Sequence, residues 1–154
     1  PSASPRRAVL VFAVTDEFKS VEGLADKNVA VQSGSNGPAI LEEFAPKASQ
    51  QEFKTDEEAR QALQQGRVDA YVIDNNMQQS ALVREPGKYK IAGKPFGRKE
   101  PYGTGLPLDS DGVAFINDFL KKIEDAGTWT ELWKICIGDR TGDNNVPELT
   151  EIGA

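Results

Sequence analysis

The chain has 154 residues, 38% hydrophobic and 27% charged, with a net charge of -6 and no histidine. That size suits one domain, or one and a half, able to bury roughly 68–70% of its unfolded surface. The acidic balance argues against a nucleic-acid surface, which needs clustered Lys and Arg, and the missing histidine removes Ser-His-Asp and Cys-His catalysis and the commonest transition-metal ligand.

No apolar run approaches the ~20 residues that span a bilayer. No signal peptide opens the sequence, as expected of a mature or trimmed chain, or of a cytosolic one. The single cysteine allows neither an internal disulfide nor a thiolate zinc site. Within Ile135-Cys136-Ile137 it reads as a small buried hydrophobe rather than a reactive thiol. Neither a cofactor nor a metal is expected.

In chain order, Pro1-Ser2-Ala3-Ser4-Pro5 begins a linker-like tail over residues 1–7. Ala8–Val14 is a continuous apolar run of strand length, as expected for a strand covered on both faces. Asp16–Glu22 is a polar connection, and Asn28–Val31 a second strand. The polar turn Gln32-Ser33-Gly34-Ser35-Asn36-Gly37 follows, and Pro38 suits the first turn of a helix whose apolar side is Ile40, Leu41 and Phe44. Pro46 stops that helix. Phe53 sits in a short extended stretch. Thr55 and Glu58 have capping-box spacing, for a helix that turns Ala59, Ala62 and Leu63 inward and ends at Gly66.

Val68–Ile73 predicts another strand with Asp74 at its end, then a helix from Asn75 or Asn76 through Met77, Leu82 and Val83 to Pro86-Gly87. Tyr89–Ala92 and Tyr102–Leu106 read as two further strands around the polar segment Gly97–Glu100. Asp109-Ser110-Asp111 offers caps for a helix with Val113, Ile116, Phe119, Leu120 and Ile123 at helical spacing, broken at Gly127. A last helix, Thr128–Ile137, carries Trp129, Leu132 and Trp133 before a polar tail over residues 139–154. Strands alternating with helices imply an α/β fold, a mixed, mostly parallel sheet flanked by helices. Small ligands bind such sheets beyond the C-terminal strand ends.

Two polar features lie at those ends. The Gln32–Gly37 loop offers unpaired N–H groups and the positive end of a helix dipole to a small anion. It lacks the Lys-Ser/Thr of a P-loop and the third glycine of the dinucleotide fingerprint, and it reads equally as a tight strand–helix turn capped by Ser35 or Asn36. Asp74 reads equally as a helix N-cap. Together they suit a zwitterion, with N–H donors for a carboxylate and Asp74 for an ammonium.

Beyond single motifs, the chain resembles the type II periplasmic (extracellular) solute-binding proteins of polar amino-acid ABC transporters, in particular the actinobacterial glutamate/glutamine-binding type. The match runs through Leu24-Ala25-Asp26-Lys27-Asn28-Val29-Ala30-Val31-Gln32-Ser33-Gly34-Ser35 and Ala62-Leu63-Gln64-Gln65-Gly66-Arg67-Val68-Asp69-Ala70 with Asp74. Pro86-Gly87-Lys88-Tyr89-Lys90, Pro95-Phe96 and Tyr102-Gly103-Thr104-Gly105-Leu106-Pro107 follow. Phe115-Ile116-Asn117-Asp118-Phe119-Leu120 and Gly127-Thr128-Trp129 complete it.

The resemblance implies a second lobe over residues 8–107 and C-terminal helices over 108–138 that pack on a first lobe. It implies that Ser33, Gly34, Ser35 and Asn36 hold an α-carboxylate through backbone N–H groups and the Ser35 hydroxyl. Asp74 then takes the α-amino group, Gln32 can face the ligand side chain, and Tyr102 is structural. Asn36 stands where the family favours small residues. Nothing here matches the first lobe, with its carboxylate-binding arginine and ligand-sandwiching aromatics; Arg6 and Arg7 lie too close to the first strand.

Charged hydrogen bonds contribute ~1.5–3 kcal/mol each, so weak amino-acid binding by this chain alone is expected. The implied role is non-enzymatic binding of glutamate or glutamine, cleft closure and docking on an ABC permease, outside the cytoplasm in a periplasm or as a lipoprotein on a Gram-positive cell. The C-terminal helices, with Phe119, Trp129 and Trp133, are expected to fold back on the lobe or to meet another chain, which allows self-association. The alternative is an extracellular sensor or protein-interaction module built on the same lobe. An enzyme of the dehydratase kind is disfavoured, since only Asp74 and a few Glu residues remain for acid–base work.

Overall fold

The computed structural model describes residues 7–12, 18–97, 104–147 and 149. It divides into two compact units, one made of Pro5–Arg98 and the other including Lys99–Ala154. The first unit ends ahead of residue 107, where the sequence had suggested a boundary.

The first unit is an α/β sheet whose five strands are ordered β3-β2-β4-β1-β5. They are β1 Arg7–Phe12, β2 Asn28–Gln32, β3 Ser49–Phe53, β4 Ala70–Asp74 and β5 Tyr89–Phe96. β2 pairs in parallel with both β3 and β4, whereas β1 runs antiparallel to β4 and to β5. Four strands therefore share one direction, and the sheet is mixed but mostly parallel. The pairing of β2 with β4 is pinned at its start, where the Asp69 N–H donates to the Asn28 carbonyl at 2.7 Å and the Asn28 N–H donates to Asp69 Oδ2 at 2.8 Å.

The inner strands β2 and β4 bury both faces, which is why they read as unbroken apolar runs. On one side Val9, Val11, Val29, Val31, Ala70 and Val72 pack with Phe18, Leu24 and Leu41. Leu41 belongs to helix α1 (Gly37–Phe44). On the other side Ala30, Tyr71 and Ile73 pack with Ala59, Ala62 and Leu63 of α2 (Asp56–Gln64) and with Leu82 of α3 (Asn75–Arg84). Both arms of the Thr55–Glu58 capping box form, and Gly66 leaves α2 in the left-handed region, as the sequence implied.

Helix α3 forms as expected, and it turns inward residues the sequence did not single out. Met77 and Val83 are exposed, while Gln78 and Ala81 are buried. Gln78 goes inward because its side-chain amide donates to the Tyr71 carbonyl at 3.0 Å, so its burial leaves that donor satisfied.

The second unit is helical. α4 spans Gly112–Asp125 and α5 Thr128–Trp133, separated by Gly127 at φ 74°. A π-helical turn over Lys134–Gly138 then leads into α6, Asp139–Thr141, so the last helix runs past the expected Ile137. Of the suggested caps at α4, Ser110 does the capping, its Oγ accepting the Gly112 N–H at 3.1 Å, whereas Asp111 forms no side-chain cap bond. Residues 104–107 are not in a strand; the rest of the strand expected at Tyr102–Leu106, Tyr102 included, lies outside the described residues.

The tail folds back on the helices. The Trp129 and Trp133 indoles donate to the carbonyls of Pro147 and Asp143, at 2.6 and 3.0 Å. The reading of Cys136 is corrected: it is exposed, not buried. The tail lies against Trp133 and Gly138 and leaves Ile135 and Cys136, between them, uncovered.

Candidate functional site

The order of the sheet singles out one position along its edge. The chain leaves β2 into α1 on one face, and leaves β4, the neighbouring parallel strand, into α3 on the other. The connections after β2 and β4 therefore diverge, which opens a crevice beyond the carboxyl ends of these two strands. The Gln32–Gly37 loop and Asp74 are the residues at that crevice. Paired residues on β2 and β4, Val29 with Ala70 and Ala30 with Tyr71, carried forward at the same offset, bring Ser33 level with Asp74.

Strand alternation fixes the sides. Val29 and Val31 face the α1 side, and so do Ala70 and Val72; two residues further along each strand come Ser33 and Asp74. Ala30 faces the α2 side, which gives Gln32 the opposite face at the strand end. The half-buried Asp74 holds the N-cap position of α3 but forms no side-chain cap bond there. The N-cap alternative raised by its sequence is thus met in position and not in hydrogen bonding.

The loop is closed by Ser35. Its hydroxyl donates to the Gln32 carbonyl at 2.8 Å, and its Oγ accepts the Gly37 N–H at 3.0 Å. Asn36 is the N-cap residue of α1; it gives its carbonyl to the Ile40 N–H at 3.0 Å but no side-chain cap bond. Gly34 turns the chain at φ 74°, a conformation that costs glycine little. The Ser33 N–H is used by the sheet, donating to the Phe53 carbonyl at 2.8 Å. The N–H groups of Gly34 and Ser35 donate to no group among the described residues. Two backbone donors beside a helix N-terminus, with a carboxylate across the crevice, have the polarity that a zwitterion matches.

Gly37 was not singled out from the sequence. It is buried, and a Cβ there would stand 3.0 Å from Ser35 Oγ and 4.0 Å from the Val72 carbonyl oxygen. The Asn36-Gly37-Pro38 run, a glycine pressed between a cap residue and a helix-opening proline, was the available signal.

No family model matches the chain. It is 36% identical over 120 residues to the glutamine-binding protein GlnH of an ABC transporter of Bacillus subtilis, covering 77% of this chain and 43% of that protein. It is 27% identical over 146 residues to the glutamate-binding protein GluB of Corynebacterium glutamicum, covering 90% and 49%. The chain thus spans about half the length of the curated relatives it matches. An ancestral arginine-binding protein bound to glutamine superposes with a TM-score of 0.76 at 30% identity, over 86% of this chain and 59% of that one. The GluR0 ligand-binding core from Nostoc punctiforme, in complex with L-glutamate, gives 0.73 at 30% identity, over 85% and 60%.

Proposed function

From a chain with the sequence and fold of a lobe of type II periplasmic amino-acid-binding proteins, we propose one wall of a cleft for a polar amino acid, glutamate or glutamine first, serving uptake through an ABC transporter. What supports this is that the Gln32–Gly37 loop and Asp74 follow the carboxyl ends of β2 and β4, neighbouring parallel strands from which the chain diverges. The Gly34 and Ser35 N–H groups, with Ser33 and Asn36 framing them, receive the α-carboxylate. Asp74 takes the α-ammonium, and Gln32 reaches toward the ligand side chain from the other face. The role is binding, not catalysis; in the whole protein the cleft closes by a hinge and docks on a permease outside the cytoplasm.

A single wall supplies a fraction of the charged contacts, so the chain alone binds in the millimolar range or weaker. Titration of the 15N-labelled chain with L-glutamine, L-glutamate and L-arginine in separate arms tests this. The amides of Gly34, Ser35 and Asp74 should shift at high ligand, and Asp74→Asn should weaken the response about tenfold or more. Amides that stay still with all three, or shifts untouched by Asp74→Asn, overturn the assignment. Micromolar binding by the chain alone overturns the single-wall part of it.

The exposed Phe115, Phe119, Leu132 and Ile135 of the second unit support self-association through the C-terminal helices. A sedimentation coefficient that rises with concentration, and does not in Phe115→Ser/Phe119→Ser, is the expected result.

A further inference from the structure

We infer that Ser35 is a positioning residue of this site: its hydroxyl fastens the end of β2 to the first turn of α1, and so aims the N–H groups of its own turn, rather than meeting a ligand itself. What those N–H groups receive rests on the amino-acid-binding reading; the fastening rests on the loop's geometry.

A serine hydroxyl has one proton to give and two lone pairs. The proton goes to the carbonyl of Gln32, the last residue of β2, at 2.8 Å. One lone pair takes the N–H of Gly37, the first residue of α1, at 3.0 Å. A single oxygen therefore ties strand end to helix start across the turn. Gly37 makes this possible, because a side chain at 37 would begin 3.0 Å from that same oxygen. The turn that results holds Gly34 at φ 74° and leaves the Gly34 and Ser35 N–H groups without a hydrogen-bond acceptor among the described residues.

A carboxylate accepts hydrogen bonds and donates none. Each of those two backbone groups can give it one without breaking anything. The Ser35 hydroxyl can do so only by releasing the Gln32 carbonyl and slackening the turn that presents them. The backbone donates and the side chain holds it in place.

Hydrogen exchange and ligand titration of the whole chain, compared in wild type, Ser35→Ala and Ser35→Thr, test the division. The Gly37 amide should exchange about five- to tenfold faster in Ser35→Ala, and the wild-type rate should return in Ser35→Thr, which keeps the oxygen. Apparent affinity for L-glutamine or L-glutamate should fall about tenfold in Ser35→Ala and recover in Ser35→Thr. In wild type at saturation the Gly34 and Ser35 amides should move while Gly37 stays protected.

Three results overturn the inference: equal Gly37 exchange in wild type and Ser35→Ala, undiminished binding by Ser35→Ala while Asp74→Asn loses it, or loss of Gly37 protection on ligand saturation, which would mean that the hydroxyl swings to the ligand. Silence of wild type toward every amino acid overturns the binding reading instead, and the Gly37 exchange rates still decide the fastening.

Discussion

Gly93 shows how much a single backbone conformation can carry. Its φ is 73°, and a Cβ there would come within 2.5 Å of the Lys19 carbonyl oxygen and 3.0 Å of the Ser20 Cα. The pairing of β1 with β5 steps from Val9–Ala92 to Arg7–Phe96, two residues on β1 against four on β5, so Gly93 sits in a bulge pressed against the 19–20 segment. Both the conformation and the approach exclude a side chain. Gly93→Ala should destabilise the protein by about 2–4 kcal/mol, seen as a lower urea midpoint with an unchanged slope; a wild-type midpoint refutes it. None of this was visible in the sequence, which suggested a strand ending at Ala92. The strand runs on through Gly93 and Pro95 because β5 is an edge of the sheet, where a residue without an N–H leaves no ladder bond broken.

Elements were legible where their cause is local. The α2 start depends on residues four apart or fewer: Thr55 Oγ1 accepts the Glu58 N–H at 3.2 Å, and Glu58 Oε2 accepts the Thr55 and Lys54 N–H groups at 3.3 and 3.1 Å. Thr55→Ala should cost about 1 kcal/mol, measurable by urea denaturation, and a change near zero would mean that packing of Ala59, Ala62 and Leu63 alone sets the helix start. The same local logic placed the loop after β2 and the acid after β4. What brings them together is less local. Only the β2–β4 register, carried forward, sets Ser33 level with Asp74, and only the divergence of α1 and α3 marks the place between them as a crevice. Alternating strands and helices implied a parallel sheet, yet nothing in Arg7–Phe12 announces that β1 runs antiparallel between β4 and β5. β3 escaped except for Phe53, because Ser49-Gln50-Gln51-Glu52 forms an outer strand that needs no apolar face. Cys136 was misjudged because which side of a helix is covered is decided by distant chain; the same holds for Gln78, which no local signal marked and which donates inward to a strand carbonyl.

At the scale of the whole molecule, stability is spread unevenly. Every buried hydrophobic side chain among the described residues lies within Pro5–Arg98. In Lys99–Ala154 the buried residue among those described is Gly138, while Phe115 is 71% exposed and Phe119 50%. Apolar burial contributes about 25 cal/mol per Å² removed from water, so helices that bury so little draw their order from local bonds such as those of Trp129 and Trp133 to the tail. Regions of that kind open at low free-energy cost, independently of a well-packed sheet. The chain carries a built-in reporter of the difference, since both of its tryptophans, Trp129 and Trp133, belong to the weaker unit. In a urea titration the tryptophan fluorescence should change at lower denaturant than far-UV circular dichroism, which also follows the sheet. Hydrogen exchange should match it, with α4 amides exchanging about a hundredfold or more faster than those of β2 and β4. Coincident transitions are the signature of a single cooperative unit, and observing them would mean that the C-terminal helices share the stability of the sheet.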